Sequence, residues 1–308
     1  MPGRAAGASR PTVTLVRVVS LLPSATEIVY ALGLADQLVG VTFECDEPPA
    51  ARRDKAVVVG GADTSGMTPA EIDASVRRRL AAGEDLYTLH EGALAALAPD
   101  VILTQDLCRV CALPSGQVDR ALDLLGCQAD VLALDPYTLE EVLATITTVG
   151  ERLGVPERGR ALVGELRERL AAVAARVAGR PRPRVAVVEW VDPPFPAAHW
   201  VPDQVAAAGG EPVACRPGQR SVPVEWADFA AAEPDVVVVA PCGFGLDGAV
   251  QQAAAVAAAL PGRPVWAVDG DAVIVRPGPR LVDGVELLAA VLHPAGDGAL
   301  PPDAVRVA

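Results

Sequence analysis

The residues best suited to chemistry in this 308-residue chain are its cysteines. Cys108 and Cys111 form a C-x-x-C pair within LAPDVILTQDLCRVC, residues 97–111. Cys242 closes a similar run, AAAEPDVVVVAPCGF, residues 230–244. Cys45 follows LVGVTFE in the same manner. Each of these thiols stands just past a short β-branched run that reads as a buried strand. In open α/β sheets the carboxyl ends of such strands face the ligand crevice. Four converging thiolates at Cys45, Cys108, Cys111 and Cys242 would suit tetrahedral zinc or an iron–sulfur cluster. Single cysteines are often only small buried hydrophobes, and Cys127 and Cys215 are read that way. Glu44, Asp46 and Glu47 stand beside Cys45 and could do acid–base work, or simply form a solvated loop.

The elements that must carry these groups follow from apolar periodicity and its interruptions. Strands are expected at 17–22, 38–43, 101–103, 129–134, 184–189, 213–215 and 265–268, with 228–242 matching the helix-end, strand and loop of 97–111. Ser24 with Glu27, and Thr138 with Glu141, have the S/T-x-x-E spacing of a helix-opening capping box. Residues 50–70 read as irregular, and DLYTLHEGALAALAP, residues 85–99, as helix. Pro156 suits the first turn of a helix running to about residue 178, with Leu162, Val163, Leu166, Leu170, Val173 and Val177 on one face. At 1.5 Å per residue that helix is roughly 33 Å long. The units before and after it mirror one another as strand, loop and helix. The expected organisation is a flexible arm at 1–14, an α/β lobe at 15–154, a bridging helix at 155–180, a second α/β lobe at 181–294 and a flexible tail at 295–308. The fold class is therefore α/β: two lobes with mostly parallel central sheets, joined by one rigid helix, with a ligand cleft between them.

Composition narrows the functions. The chain has 26 Lys and Arg against 39 Asp and Glu, a net charge of −13. With no basic cluster, nucleic acid and anionic membranes are poor partners. No run is long and apolar enough for a membrane span. The first residues do not read as a signal peptide or lipid-anchor site, so a cytoplasmic location is expected. The sequence carries no G-x-S-x-G, P-loop or H-E-x-x-H, which favours a binding protein over an enzyme.

The segments SLLPSATEIVYALGL, LVGV, LAPDVIL, WVPDQVAAAGG, AAAEPDVVVVAPCGF and GPRLVDGVELL, in this order and around the long helix, resemble the helical-backbone class of ABC-transporter solute-binding proteins. The cobalamin-binding branch is the nearest in pattern. The resemblance covers about residues 17 to 293. It implies a small-molecule ligand such as a siderophore, haem or corrinoid, with cobalamin as the expected ligand. It places Pro23, Ser24, Phe43, Glu44, Gln105, Trp190, Trp200 and Arg280 around the cleft. It also implies an ABC permease partner docking on one carboxylate per lobe, for which Glu91 and Glu225 or Asp228 lie nearest. The expected lack of a leader stands against that partner. The alternative is a cytoplasmic protein, possibly an enzyme, with a four-cysteine metal or iron–sulfur site in the same scaffold.

Overall fold

A computed structural model of the chain describes residues 15–64, 66–107, 115–125, 128–294 and 302–308. The first half runs β1 (Val18–Ser20), α1 (Pro23–Ala31), β2 (Leu38–Thr42), α2 (Ala50–Asp54), β3 (Ala56–Gly61), α3 (Pro69–Ala81), β4 (Tyr87–Leu89), α4 (Glu91–Leu97), β5 (Val101–Thr104), α5 (Ser115–Leu125), β6 (Asp130–Ala133) and α6 (Leu139–Arg152). Then comes α7 (Pro156–Val177). The second half runs β7 (Arg184–Val191), β8 (Pro194–Pro196), β9 (Ala198–His199), α8 (Val201–Ala207), β10 (Glu211–Pro212), β11 (Arg216–Pro217), α9 (Trp226–Ala231), β12 (Val236–Val239), α10 (Leu246–Ala259), β13 (Val265–Val268), α11 (Gly270–Val273), α12 (Leu281–Leu292) and β14 (Ala304–Arg306).

Each half builds one six-stranded sheet, and in the second half β9 and β11 form a further two-stranded parallel sheet. The first has the order β4-β3-β2-β1-β5-β6, parallel except for β4, which is antiparallel to β3. The second has the order β10-β7-β12-β13-β14, with β8 pairing β7; β8 and β14 are antiparallel to their neighbours. In both sheets the chain starts in the middle, winds to one side, then returns to the other. The winding reverses between β1 and β5 in the first lobe and between β7 and β12 in the second. Such reversal points leave a crevice at the strands' carboxyl ends, where no crossover covers them.

Central strands of this kind are buried on both faces, which is why they read as unbroken β-branched runs. Val237, Val238 and Val239 are all fully buried, as are Ile102 and Leu103. The helix α7 joins the lobes by belonging to both cores. Val163 and Leu166 pack with Ile28, Leu143 and Val149 of the first lobe, whereas Val173 packs with Val205 and Val285 of the second. The joint with α6 is close: a methyl group at Gly159 would meet the Ile146 carbonyl oxygen at 3.2 Å.

Three expectations about elements are corrected. Residues 50–70 contain α2 and the strand β3, whose AVVVGG run is short and ends in two glycines. The predicted helix across 85–99 splits into β4 and α4, because Tyr87–Leu89 finds an open sheet edge beside β3. The end of the expected tail, 302–308, returns as β14 on the edge of β13. Among the described residues no helix is long and apolar enough to cross a membrane.

Candidate functional site

The carboxyl ends of β1, β2 and β5 carry the first lobe's side of the cleft. Pro23 occupies the first turn of α1, and Ser24 is 3% exposed. The expected Ser24–Glu27 capping box does not form: α1 begins after Leu22 with no side-chain cap. A cap is worth about 1 kcal/mol, less than the burial of Ile28 and Val29, at about 1.5–3 kcal/mol each. The helix therefore stands without one, and Glu27 is free for another task. The Thr138–Glu141 box does form, and a third, Thr68–Glu71, opens α3.

Phe43 and Glu44 follow β2. The Phe43 ring lies on the backbone of Gly61, where a Cβ would come within 2.4 Å of it, and is tilted against Tyr87 at 6.3 Å between centroids. The Tyr87 hydroxyl donates to Glu44 at 3.4 Å. Burial, then the facing Asp271 carboxylate, push the Glu44 carboxyl up to about 7, so it holds a proton for part of the time at neutral pH. Gln105, after β5, is 4% exposed, and its Nε2 meets no partner among the described residues. The turn beyond it is fixed by Asp135, which accepts from the backbone nitrogens of Asp106 and Leu107, both at 2.7 Å.

The second lobe presents Trp190 at the end of β7 and Phe244 beyond β12, with ring centroids 5.7 Å apart. Each lobe thus puts a tilted aromatic pair near the ends of its central strands. Trp190 donates to the Asp192 carbonyl at 3.1 Å. Trp200 lies elsewhere: it is 5% exposed, packs within the second lobe's core and donates to the Ile274 carbonyl at 2.9 Å. His199, beside it, has φ of 49° and lies 5.7 Å from the Tyr137 ring of the first lobe. Burial, with help from the Arg220 charge, lowers its pKa to about 4, so it is neutral at physiological pH.

The strongest feature between the lobes was only partly legible in the sequence. Arg276, 7% exposed, donates from Nη1 to Glu27 at 3.1 Å and to Asp46 at 2.8 Å, and from Nη2 to Asp271 at 2.6 Å. Arg280 reaches the same Glu27 with two bonds, at 3.0 and 2.8 Å. Glu27 and Asp46 belong to the first lobe, and the arginines and Asp271 to the second. Burial works against the Arg276 charge, but Asp271, Asp46 and Glu27 outweigh it and raise its pKa. Burial raises the Asp271 pKa, opposed by Arg276. The backbone at Gly278 approaches Ser24, closing this contact from above. Two further bonds cross between the lobes: Arg220 to the Asp106 carbonyl, and the Leu139 amide to the Asp203 carboxylate. Of the residues expected at the cleft, Ser24, Glu44 and Arg280 are thus brought to one place, and Glu27, Asp46, Asp271 and Arg276 join them.

Of the four cysteines expected at the cleft, Cys45 and Cys242 lie within the described residues. Cys45 is fully buried, and its sulfur accepts from the Thr26 hydroxyl at 3.1 Å and lies 3.4 Å from that of Thr42. Burial raises its thiol pKa, the opposite of what a metal-binding thiolate requires. Cys108 and Cys111 lie outside the described residues. Cys242 follows β12, with its amide donating at 3.0 Å to the Glu189 carbonyl at the crevice end of β7. Among the described residues no group of three or more His, Cys, Asp or Glu side chains is placed to hold a metal ion.

Comparison with known proteins agrees with this architecture. A vitamin B12-binding protein of Vibrio cholerae serotype O1 is 25% identical over 280 residues, covering 90% of this chain and 88% of that protein. An ABC transporter substrate-binding lipoprotein of Bacillus subtilis is 26% identical over 155 residues, covering 50% of this chain and 39% of that protein. The crystal structure of a periplasmic haem-binding protein from Pseudomonas aeruginosa superposes with a TM-score of 0.67 at 24% identity, covering 94% of this chain and 97% of that one. Two expectations are corrected: a lipoprotein relative and a family described as periplasmic stand against a cytoplasmic location, and relatives named for binding vitamin B12 stand against the iron–sulfur reading. The model of the family described as periplasmic binding protein matches residues 18–269, most of both lobes and the helix between them, and the chain belongs to that family.

Proposed function

We propose that this protein is the extracytoplasmic receptor of an ABC importer, that it delivers its ligand to a permease, and that the ligand is a corrinoid of the cobalamin type held between the lobes. The observation that carries the choice of ligand is the charge of the interlobe contact. Four carboxyl groups, from Glu27, Glu44, Asp46 and Asp271, surround the two guanidinium groups of Arg276 and Arg280. Three bonds already tie Arg276 to Glu27, Asp46 and Asp271. A haem brings carboxylates, which meet an excess of like charge at this contact. A corrinoid of the cobalamin type brings neutral amides around its rim and a single phosphodiester, with no net charge in cyanocobalamin, and a broad ring that suits the aromatic pairs Phe43–Tyr87 and Trp190–Phe244. The B12-binding relative, matched over 90% of the chain, supports the same choice.

The test is a titration of purified protein with cyanocobalamin and, separately, with haemin, followed by thermal unfolding. A ligand that binds only the folded state at a hundred times its Kd adds about 2.7 kcal/mol of stability. The expected result is a raised thermal midpoint and a changed Trp190 emission with cyanocobalamin, and a much weaker response to haemin. No response to cyanocobalamin would end the corrinoid reading.

A further inference from the structure

The ion pairs that join the lobes at Arg276 differ in exposure. The Glu27 side chain is 5% exposed and holds both Arg276 and Arg280. The Asp46 side chain is 45% exposed and holds Arg276 alone. We propose that Arg276 is a latch with two unequal arms, a permanent pivot on Glu27 and a releasable arm on Asp46, which keeps the cleft closed without ligand and opens it at the loop of residues 43–49.

The geometry assigns the arms. Arg276 Nη1 has two hydrogens and two acceptors, Glu27 and Asp46, while Nη2 is anchored on Asp271 of its own lobe. Releasing Asp46 strands no charge, since Arg276 keeps Glu27 and Asp271 and the half-exposed Asp46 is taken up by water. Releasing Glu27 would remove the only carboxylate bonded to Arg280 among the described residues and one of three on Arg276, both parting from a buried group. Breaking a buried pair on one side leaves an uncompensated buried charge, whereas a carboxylate that is half in water gives up its partner at little cost. Opening therefore goes through Asp46. Charge favours the same order: in the closed contact carboxylates outnumber guanidinium groups, and the departure of Asp46 relieves that excess. The arm is also tied to the cleft wall, because the loop that carries Asp46 carries Phe43 and Glu44. Letting go of Arg276 moves both of those side chains. The latch acts in the unliganded protein and holds whichever ligand the cleft accepts.

The experiment is amide hydrogen exchange on the full chain without ligand, comparing wild type with Asp46→Asn at about 0.05 M and about 1 M sodium chloride, conditions that change the Debye length from more than 10 Å to about 3 Å. The latch predicts that wild type gains several-fold faster exchange in residues 40–49 and 270–280 at high salt. It predicts that Asp46→Asn already exchanges at that faster rate at low salt and responds little to more, with a thermal midpoint close to wild type. A second variant, Glu27→Gln, is expected to lower the thermal midpoint clearly, as the loss of a pivot requires. Equal protection in wild type and Asp46→Asn at both salts would overturn the latch. So would loss of protection spread evenly over both lobes in step with a lowered midpoint. A Glu27→Gln protein as stable as wild type would overturn the division into pivot and arm.

Discussion

The two lobes share a winding pattern and differ in what they bring to the cleft. Around the central contact the first lobe supplies only carboxyl groups, Glu27, Glu44 and Asp46, whereas the second supplies both guanidinium groups, Arg276 and Arg280, with Asp271 beside them. Both keep an aromatic pair near the ends of their central strands. Two halves with one architecture have thus diverged where they meet, which makes their contact self-complementary and specific to one relative orientation. A pair of identical halves would place like charges opposite one another and be pushed apart.

The comparison breaks most severely at Glu27. Replacing it with alanine leaves two guanidinium groups without their shared carboxylate, and a loss of about 3–5 kcal/mol is expected in chemical unfolding. A Glu27→Leu, Arg280→Met double variant, which removes one charge from each lobe and leaves Arg276 with Asp46 and Asp271, should recover part of that loss. If the single variant is no less stable than wild type, the asymmetry is ornamental.

A smaller effect is expected at Gly61. Its Cβ would lie 2.4 Å from the Phe43 ring, so Gly61→Ala must displace that ring. Overpacking of this kind costs about 1–3 kcal/mol. Binding of the proposed corrinoid should weaken along with it, whereas Gly164→Ala, facing open space on α7, should leave binding alone. Equal binding by Gly61→Ala and wild type would remove Phe43 from the ligand wall.

The acid-rich side of the comparison is sharpened by pH. The Glu44 carboxyl lies at about 7 in the folded protein and near its ordinary value of 4.5 when unfolded. The unfolded chain therefore releases this proton first as pH rises. The stability that Glu44 contributes is whole below about pH 4.5 and is lost as pH climbs through about 7. A fall of about 1–2 kcal/mol between pH 5 and 8 is expected, discounted from the full shift because the side chain can turn toward water. In Glu44→Gln that slope should be missing from unfolding curves taken across the same range.

The smallest effect concerns Thr138, whose box opens α6 beside the second lobe. Thr138→Ala should cost about 1 kcal/mol. The Leu139 amide should nonetheless stay protected from exchange, since it is held from the other lobe by Asp203. Rapid exchange at Leu139 would mean that the cap and the interlobe bond form one unit.

Much of the framework was readable from the sequence because it rests on local pattern. The valines of β7 and β12 and the apolar stripe of α7 announce a buried strand or helix wherever they occur. Thr138–Glu141 forms the box its spacing predicts. Ser24–Glu27 has the same spacing and fails, because Glu27 finds two arginines about 250 positions away. No window on the sequence contains both partners. Arg276 had one local signal, an arginine within the apolar run AVIVRPGPR, where a lone charge demands a buried counter-charge. Strands β4 and β14 were missed for a related reason: each has three residues and takes its stability from an edge supplied by a neighbour. In β3 only Val58 and Val59 are buried, and two glycines close the run, so no buried-strand pattern stands out. For Cys45 the reading erred in the opposite direction. It took nearness to a strand end to mean exposure to the cleft, and Cys45 instead turns inward beneath Thr26 and Thr42.

The double membership of α7 also has a consequence for the birth of the molecule. A chain emerging from the ribosome completes this helix before any strand of the second sheet exists. Its leading half can dock at once on the finished first lobe. Val173 and Val177, destined for the other core, must wait in water until β7, α8 and α12 arrive. The helix is thus a half-seated template: it orders the second lobe's assembly and leaves, in any chain halted before Arg184, an adhesive stripe that a chaperone can read as unfinished.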